Sequence, residues 1–196
     1  MFEKWAILLA NRIKEINPEE TAPHDVLVFG FTIILNLLFT FFLLFFTGWL
    51  LGKPFIIVQV TLSFLLLRML TGGSHLTASL ACSIMSLLFI LSISYLPINT
   101  PLIITYSVLS FFFLLQYAPF YESHQVIHSK EWERKKKLLS LFLIFIASGL
   151  YFIFHLPGFV LGAFLQSLLL TPIGINFIYF LDRKASKGGD QIEKSS

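Results

Sequence analysis

His75 and Cys82 are the residues whose types and spacing best suit nucleophilic chemistry. Cys82 is the only cysteine in the 196-residue chain and lies seven positions after His75. A cysteine attacks as its thiolate and needs a base to generate it. Histidine is the usual base because its unperturbed pKa lies near neutrality. On one continuous helix, seven residues rise about 10 Å, beyond the ~3 Å of a hydrogen bond. Gly72-Gly73, just before His75, offers a way round this. Two glycines permit backbone angles that other residues resist, so His75 can sit on a loop and fold back. With Ser74 or Thr77 capping the following helix, Cys82 falls one to two turns inside it. The positive end of the helix dipole there favours a thiolate. A lone cysteine in an apolar helix also serves as a small buried hydrophobe, and spacing alone leaves both readings open. Arg68, before the glycines, either snorkels to phosphate headgroups or holds a peptide carbonyl or carboxylate near the nucleophile.

The elements that must position these residues are membrane helices. Hydrophobic side chains make up 56% of the chain, charged ones only 13%, and the mean hydropathy is +0.81. Soluble domains are about 25% charged, so a soluble domain is excluded, as are disorder and a disulfide scaffold. Apolar spans are predicted near 26–50, 54–70, 78–96, 101–118, 138–156 and 159–181. Most reach the ~17–25 residues needed to cross a bilayer as a helix. The segment 54–70 is short enough to be a tilted or re-entrant helix. Residues 1–25 place Phe2, Trp5, Leu9, Ile13 and Ile16 at helical spacing between polar residues, which predicts an amphipathic helix in the membrane interface. Asn17-Pro18-Glu19-Glu20 reads as a helix start, and residues 182–196 as a flexible tail. The fold class is all-α and integral to the membrane: about six spanning or re-entrant helices plus an interfacial helix, in a single domain over 1–196.

With six crossings, 13 of the 14 basic residues fall on one side and only Lys53 on the other. The positive-inside rule then puts both termini and the His75 loop in the cytoplasm. None of the 11 acids lies within an apolar span, which weighs against an ion-coupled transporter. The segment 119–137, read as a loop, holds Lys135, Lys136 and Lys137. These suit anionic lipid headgroups or an acidic segment of a substrate. His124 and His128 share a helical spacing used by zinc sites, but no third ligand is evident. Asn36, Gln59, Gln116, Gln166 and Asn176 read as interhelical hydrogen-bond contacts rather than a pathway. No metal, cofactor or nucleic acid is expected.

The arrangement Arg68, Gly72-Gly73, His75 and Cys82, followed by Tyr117-Ala118-Pro119 and the basic cluster, resembles the accessory gene regulator B family, membrane peptidases of Gram-positive bacteria. The resemblance covers nearly the whole chain. It implies Cys82 as nucleophile and His75 as its partner, with Arg68 and Gly73 associated with activity. Gly72, Ser74 and Ser79 are supporting candidates beside them. Two departures are Tyr121, where the family often has Asp, and Gly30-Phe31-Thr32, where an acid often follows the glycine. The implied substrate is a short AgrD-type precursor. Its C-terminal tail is released by a Cys82 thioester, and the retained segment closes to a thiolactone or lactone. A two-fold homodimer fits such a protein. The competing expectation is a small multi-pass peptide exporter with an inert Cys82.

Overall fold

The computed structural model describes the backbone of residues 2–18, 20–74, 76, 79–121 and 129–193, and the side chains of these except 2–3, 79–80 and 185–193. The described residues form eight helices: α1 (Phe2–Ile16), α2 (His24–Leu50), α3 (Pro54–Thr71), α4 (Ser79–Ser94), α5 (Thr100–Tyr117), α6 (Lys130–Phe154), α7 (Gly158–Leu169) and α8 (Pro172–Glu193). Among these residues α2, α3, α5 and α6 are each long and apolar enough to cross a membrane. The bent pair α7–α8 makes a fifth span if counted as one. The expected all-α integral membrane architecture is therefore present. The chain divides into two compact units, Met1–Leu44 and Phe45–Ser196.

In the first unit, α1 leaves Trp5, Leu8, Leu9 and Ile16 exposed, as an interfacial helix should. The helix start expected at Asn17-Pro18 is not formed. Asn17 instead closes a turn: its carbonyl accepts from Thr21 Oγ1 at 2.8 Å, and its amide donates to Glu20 Oε2 at 2.9 Å. Helix α2 begins only after Pro23, with Asn11 and His24 joined at 2.8 Å.

In the second unit, α7 is the central helix. Nine of its residues are buried, among them Val160, Leu161, Gly162, Ala163 and Gln166. It packs chiefly on α3, and also on α4, α5 and α6. Close approach to α3 depends on glycine. A Cβ at Gly162 would lie 2.3 Å from the Val60 carbonyl oxygen and 2.8 Å from Ser63 Cβ. Ser63 Oγ donates to the Phe159 carbonyl at 2.6 Å, and Gln59 Oε1 accepts from Gly158 N at 3.1 Å. Small residues and interhelical hydrogen bonds hold helices together where lipid removes the hydrophobic drive. Gly162→Leu should therefore separate α3 from α7, read as loss of folded protein in gel filtration from detergent; Gly149→Leu, whose Cβ site has no atom within 4 Å, should elute unchanged.

Four expected boundaries are corrected. The span 159–181 is broken at Leu170-Thr171, and α7 and α8 meet at 76°. Pro172 lacks the N–H that a continuing helix needs. Thr171 Oγ1 caps the new helix, accepting from Gly174 N at 3.2 Å. Helix α8 then runs on to Glu193, where a loose tail was expected from 182. The span 78–96 is the shorter helix α4, among the apolar helices below spanning length. Finally, 130–137 is no loop but the start of α6. Ser129 caps it, accepting from Trp132 N at 3.4 Å, and Glu131 and Glu133 complement the dipole in its first turn.

Candidate active site

The site grows from the C-terminus of α3. Thr71 Oγ1 donates to the Leu67 carbonyl at 2.8 Å and Gly72 N to the Arg68 carbonyl at 2.9 Å. Gly72 then turns the chain with φ 72° and ψ −149°, and Gly73 follows at φ 136°. The first of these is a region that essentially only glycine occupies. The turn is needed because another strand of chain lies against it. Phe120 N donates to the Thr71 carbonyl at 2.8 Å, and Gly72 and Phe120 pair as a single parallel bridge. A Cβ on Gly72 would stand 2.2 Å from the Phe120 carbonyl oxygen.

Two side chains complete the bracket. Arg68 Nη2 donates to the Ser74 carbonyl, so the guanidinium is tied to the loop rather than extended toward headgroups. Its Cζ lies 5.6 Å from the Phe64 ring centroid, and a Cβ on Gly73 would come within 3.1 Å of Nη1. From α7, Gln166 Nε2 donates to the Gly72 carbonyl and to Thr71 Oγ1, each at 2.9 Å. Because the Thr71 hydroxyl proton goes to Leu67, the amide orientation of Gln166 is fixed. Its Oε1 is buried with no hydrogen-bond partner among the described residues. An unsatisfied buried acceptor costs on the order of 1–3 kcal/mol.

Ser74 and Leu76 are buried. His75, the expected base, lies outside the described residues, as do Thr77, Glu122, His124 and His128. Ser79 opens α4, and its side chain is likewise outside them. Cys82 is a free thiol, half-buried, in the first turn of α4. That is the near end of the range expected from the sequence. Anionic sulfur at this end of a helix faces the positive pole of its dipole.

The other arm of the site is the stretch after α5. The Ala118-Pro119 peptide is cis. Ala118 belongs to a buried cluster with Leu67, Leu114, Leu141, Ile144, Ala163 and Leu170, against which Tyr117 and Phe120 pack. This cluster joins α3, α5, α6 and α7 directly behind the glycine turn. Lys136 Nζ lies 5.6 Å from the Tyr121 ring centroid. Burial, and secondarily the Glu133 carboxylate, raise the Tyr121 phenol above its ordinary pKa, keeping it neutral. Lys135 is exposed; Lys136 and Lys137 are half-buried. The structure thus brings Arg68, Gly72, Gly73 and Ser74 together, and connects Lys136 to them through Tyr121 and Phe120. Lys53 is elsewhere, 3.9 Å over the Tyr95 ring.

Thr71, Phe120 and Gln166 were not among the site candidates read from the sequence. Gln166 was read only as an interhelical hydrogen-bond contact, which it is. Its position as the one amide in the largely apolar helix Gly158–Leu169 is the signal that singles it out.

Comparison with known proteins adds a family. The family described as Accessory gene regulator B matches residues 3–172. A protein of Halalkalibacterium halodurans named as AgrB-like is 43% identical over 197 residues, covering 100% of both chains. Accessory gene regulator protein B of one Staphylococcus aureus strain is 32% identical over 126 residues, 61% of this chain and 67% of that one. The protein of the same name from a bovine strain is 30% identical over 118 residues, 57% of this chain and 63% of that one. No solved structure matches.

Proposed function

Because the chain belongs to the accessory gene regulator B family, we propose that it is a membrane cysteine endopeptidase that matures a short quorum-sensing precursor peptide. The observation that carries this reading is Cys82 in the first turn of α4, reached from a glycine turn that Arg68, Phe120 and Gln166 hold. An inert thiol needs no such construction ahead of it.

His75 takes the proton from the Cys82 thiol, and the thiolate adds to the carbonyl carbon of the scissile peptide bond. The C–N bond then breaks. The leaving amine of the precursor's C-terminal tail receives the proton from His75, and the pheromone segment remains as a thioester on Cys82. An internal cysteine or serine of the precursor attacks the thioester carbonyl. That closes the ring and returns the Cys82 thiol. Ring closure outruns hydrolysis only if the internal nucleophile is held close, where effective molarities reach about 10⁵ M or more, and if water is scarce. The half-burial of Cys82 limits access of water to the thioester, and the bound precursor itself must supply the closeness of its internal nucleophile. Arg68, already donating to the loop, is the candidate partner for the oxygen that gains charge. Lys135, Lys136 and Lys137 receive the acidic part of the precursor, or anionic headgroups, on the cytoplasmic side of a bacterial membrane, and a two-fold homodimer is the assembly.

The test is capture of the intermediate. Membranes containing the chain and its precursor, quenched in acid, should yield a Cys82 adduct with the mass of the precursor minus its tail, and neutral hydroxylamine should remove it. Tail release without any such adduct overturns the reading. Transport of intact precursor without cleavage would instead establish an exporter.

A further inference from the structure

We propose that Gln166 is a positioning residue for the Cys82 chemistry, acting through the Gly72 carbonyl; the inference rests on the peptidase reading above. Two consecutive glycines give the chain more freedom than any other pair, and they stand just before the segment that carries His75 to Cys82. Whatever chemistry depends on that segment needs the freedom removed. Three donors remove it: Phe120 N on the Thr71 carbonyl, Arg68 on the Ser74 carbonyl, and Gln166 Nε2 on the Gly72 carbonyl. Of these, only Gln166 grips the oxygen of the turning residue itself. It does so from a different helix, with 0% exposure, and its second N–H is anchored on Thr71 Oγ1.

Stability is a poor reason for a glutamine here, since its two donated hydrogen bonds are set against a buried Oε1 left without a partner. Methionine has nearly the same length and volume, packs well in apolar surroundings, and would leave no buried Oε1 without a donor. The α3–α7 contact is already made by Gly158, Gly162 and the Ser63–Phe159 hydrogen bond. What the amide adds is a fixed direction for the chain leaving Gly72.

The experiment measures alkylation of Cys82 by iodoacetamide at pH 7.5 in membranes containing the full chain. The thiol is the chain's only cysteine, so labelling reports it alone. Gln166→Met should slow alkylation at least fivefold, toward the rate of His75→Ala. Ser63→Ala, which removes another hydrogen bond between the same two helices, should alkylate at the wild-type rate. Mere loosening of the bundle would expose the sulfur and speed the reaction. A Gln166→Met rate equal to or faster than wild type therefore overturns the proposal, as does equal slowing by Ser63→Ala. If Gln166→Met fails to accumulate, Thr71→Val and Thr71→Ser decide. Loss of the Gln166 anchor in the valine variant should slow alkylation two- to threefold, and the serine variant should restore it; identical rates for the two overturn the proposal. A wild-type rate that His75→Ala leaves unchanged overturns the peptidase reading itself, independently of Gln166.

Discussion

Cells producing the precursor together with the Cys82→Ala chain should release no C-terminal tail and no cyclic peptide. Alanine removes the atom that bonds to the substrate, and the Thr71 and Ser74 hydroxyls at the turn are buried and far weaker nucleophiles than a thiol. Arg68 is always charged and Tyr121 is held neutral by burial and by Glu133. Losses on the order of 10⁴–10⁶-fold follow removal of a covalent nucleophile, which is complete loss by mass spectrometry of the culture medium. The substitution is small and lies at a half-buried position, so the chain should accumulate in membranes at its usual level. Cys82→Ser should fall nearly as far, since a hydroxyl is a far weaker nucleophile than a thiol at neutral pH. Tail release by the alanine variant would leave Cys82 without a role.

Gly72→Ala should cost less but still heavily, while sparing the thiol. The residue sits at φ 72° and ψ −149°, where a side chain costs on the order of 1–3 kcal/mol. Its methyl group would also meet the Phe120 carbonyl oxygen at 2.2 Å and its carbon at 3.3 Å. Those are backbone atoms, so no rotamer change relieves the contact. Phe120 must withdraw, and its hydrogen bond to Thr71 goes with it. Misplacement of reacting groups by about 1 Å can cost about 10²-fold; precursor processing should fall by at least that factor, measured as tail released per unit of membrane-inserted chain. Gly52→Ala is the matched control. Its φ is also positive, at 68°, but its Cβ would have nothing within 4 Å. It should process precursor normally. Equal activity in the two alanine variants would show that the glycine turn does not need its bridge to Phe120.

The residues with distinctive chemistry were legible in the sequence, because a lone cysteine, a histidine, an arginine and two glycines stand out from an apolar background. The partners that hold the glycine turn were not. Phe120 acts through its backbone N–H, a group every residue but proline carries. Thr71 reads as the polite end of a helix, and Gln166 lies 94 residues from the carbonyl it grips. Helix ends followed the same division. Pro54, at the start of α3, and Asn99, capping α5 with a side-chain bond to Leu102 N at 3.0 Å, mark boundaries that local chemistry predicts. The break at Thr171-Pro172 carried a proline signal too, but the apolar run on both sides of it masked the turn. The Ser129 cap is hidden in the sequence because the lysines after it resemble a solvated loop. The cap at Ser129 and the unbroken run Lys130–Phe154 show that the helix reaches back among them.

The distance along the chain between Gly72 and Gln166 also fixes an order of assembly. Helices α3 and α4 emerge from the ribosome and enter the bilayer well before α7 exists, so Cys82 is inserted long before the Gly72 carbonyl meets its donor. The Phe120 segment is synthesised second and the amide last, with α7. A nascent chain, or one truncated before Gly158, carries the thiol without its completed bracket. On the reading proposed above, full reactivity would wait until synthesis is nearly finished, sparing the single cysteine from the wrong partner during insertion.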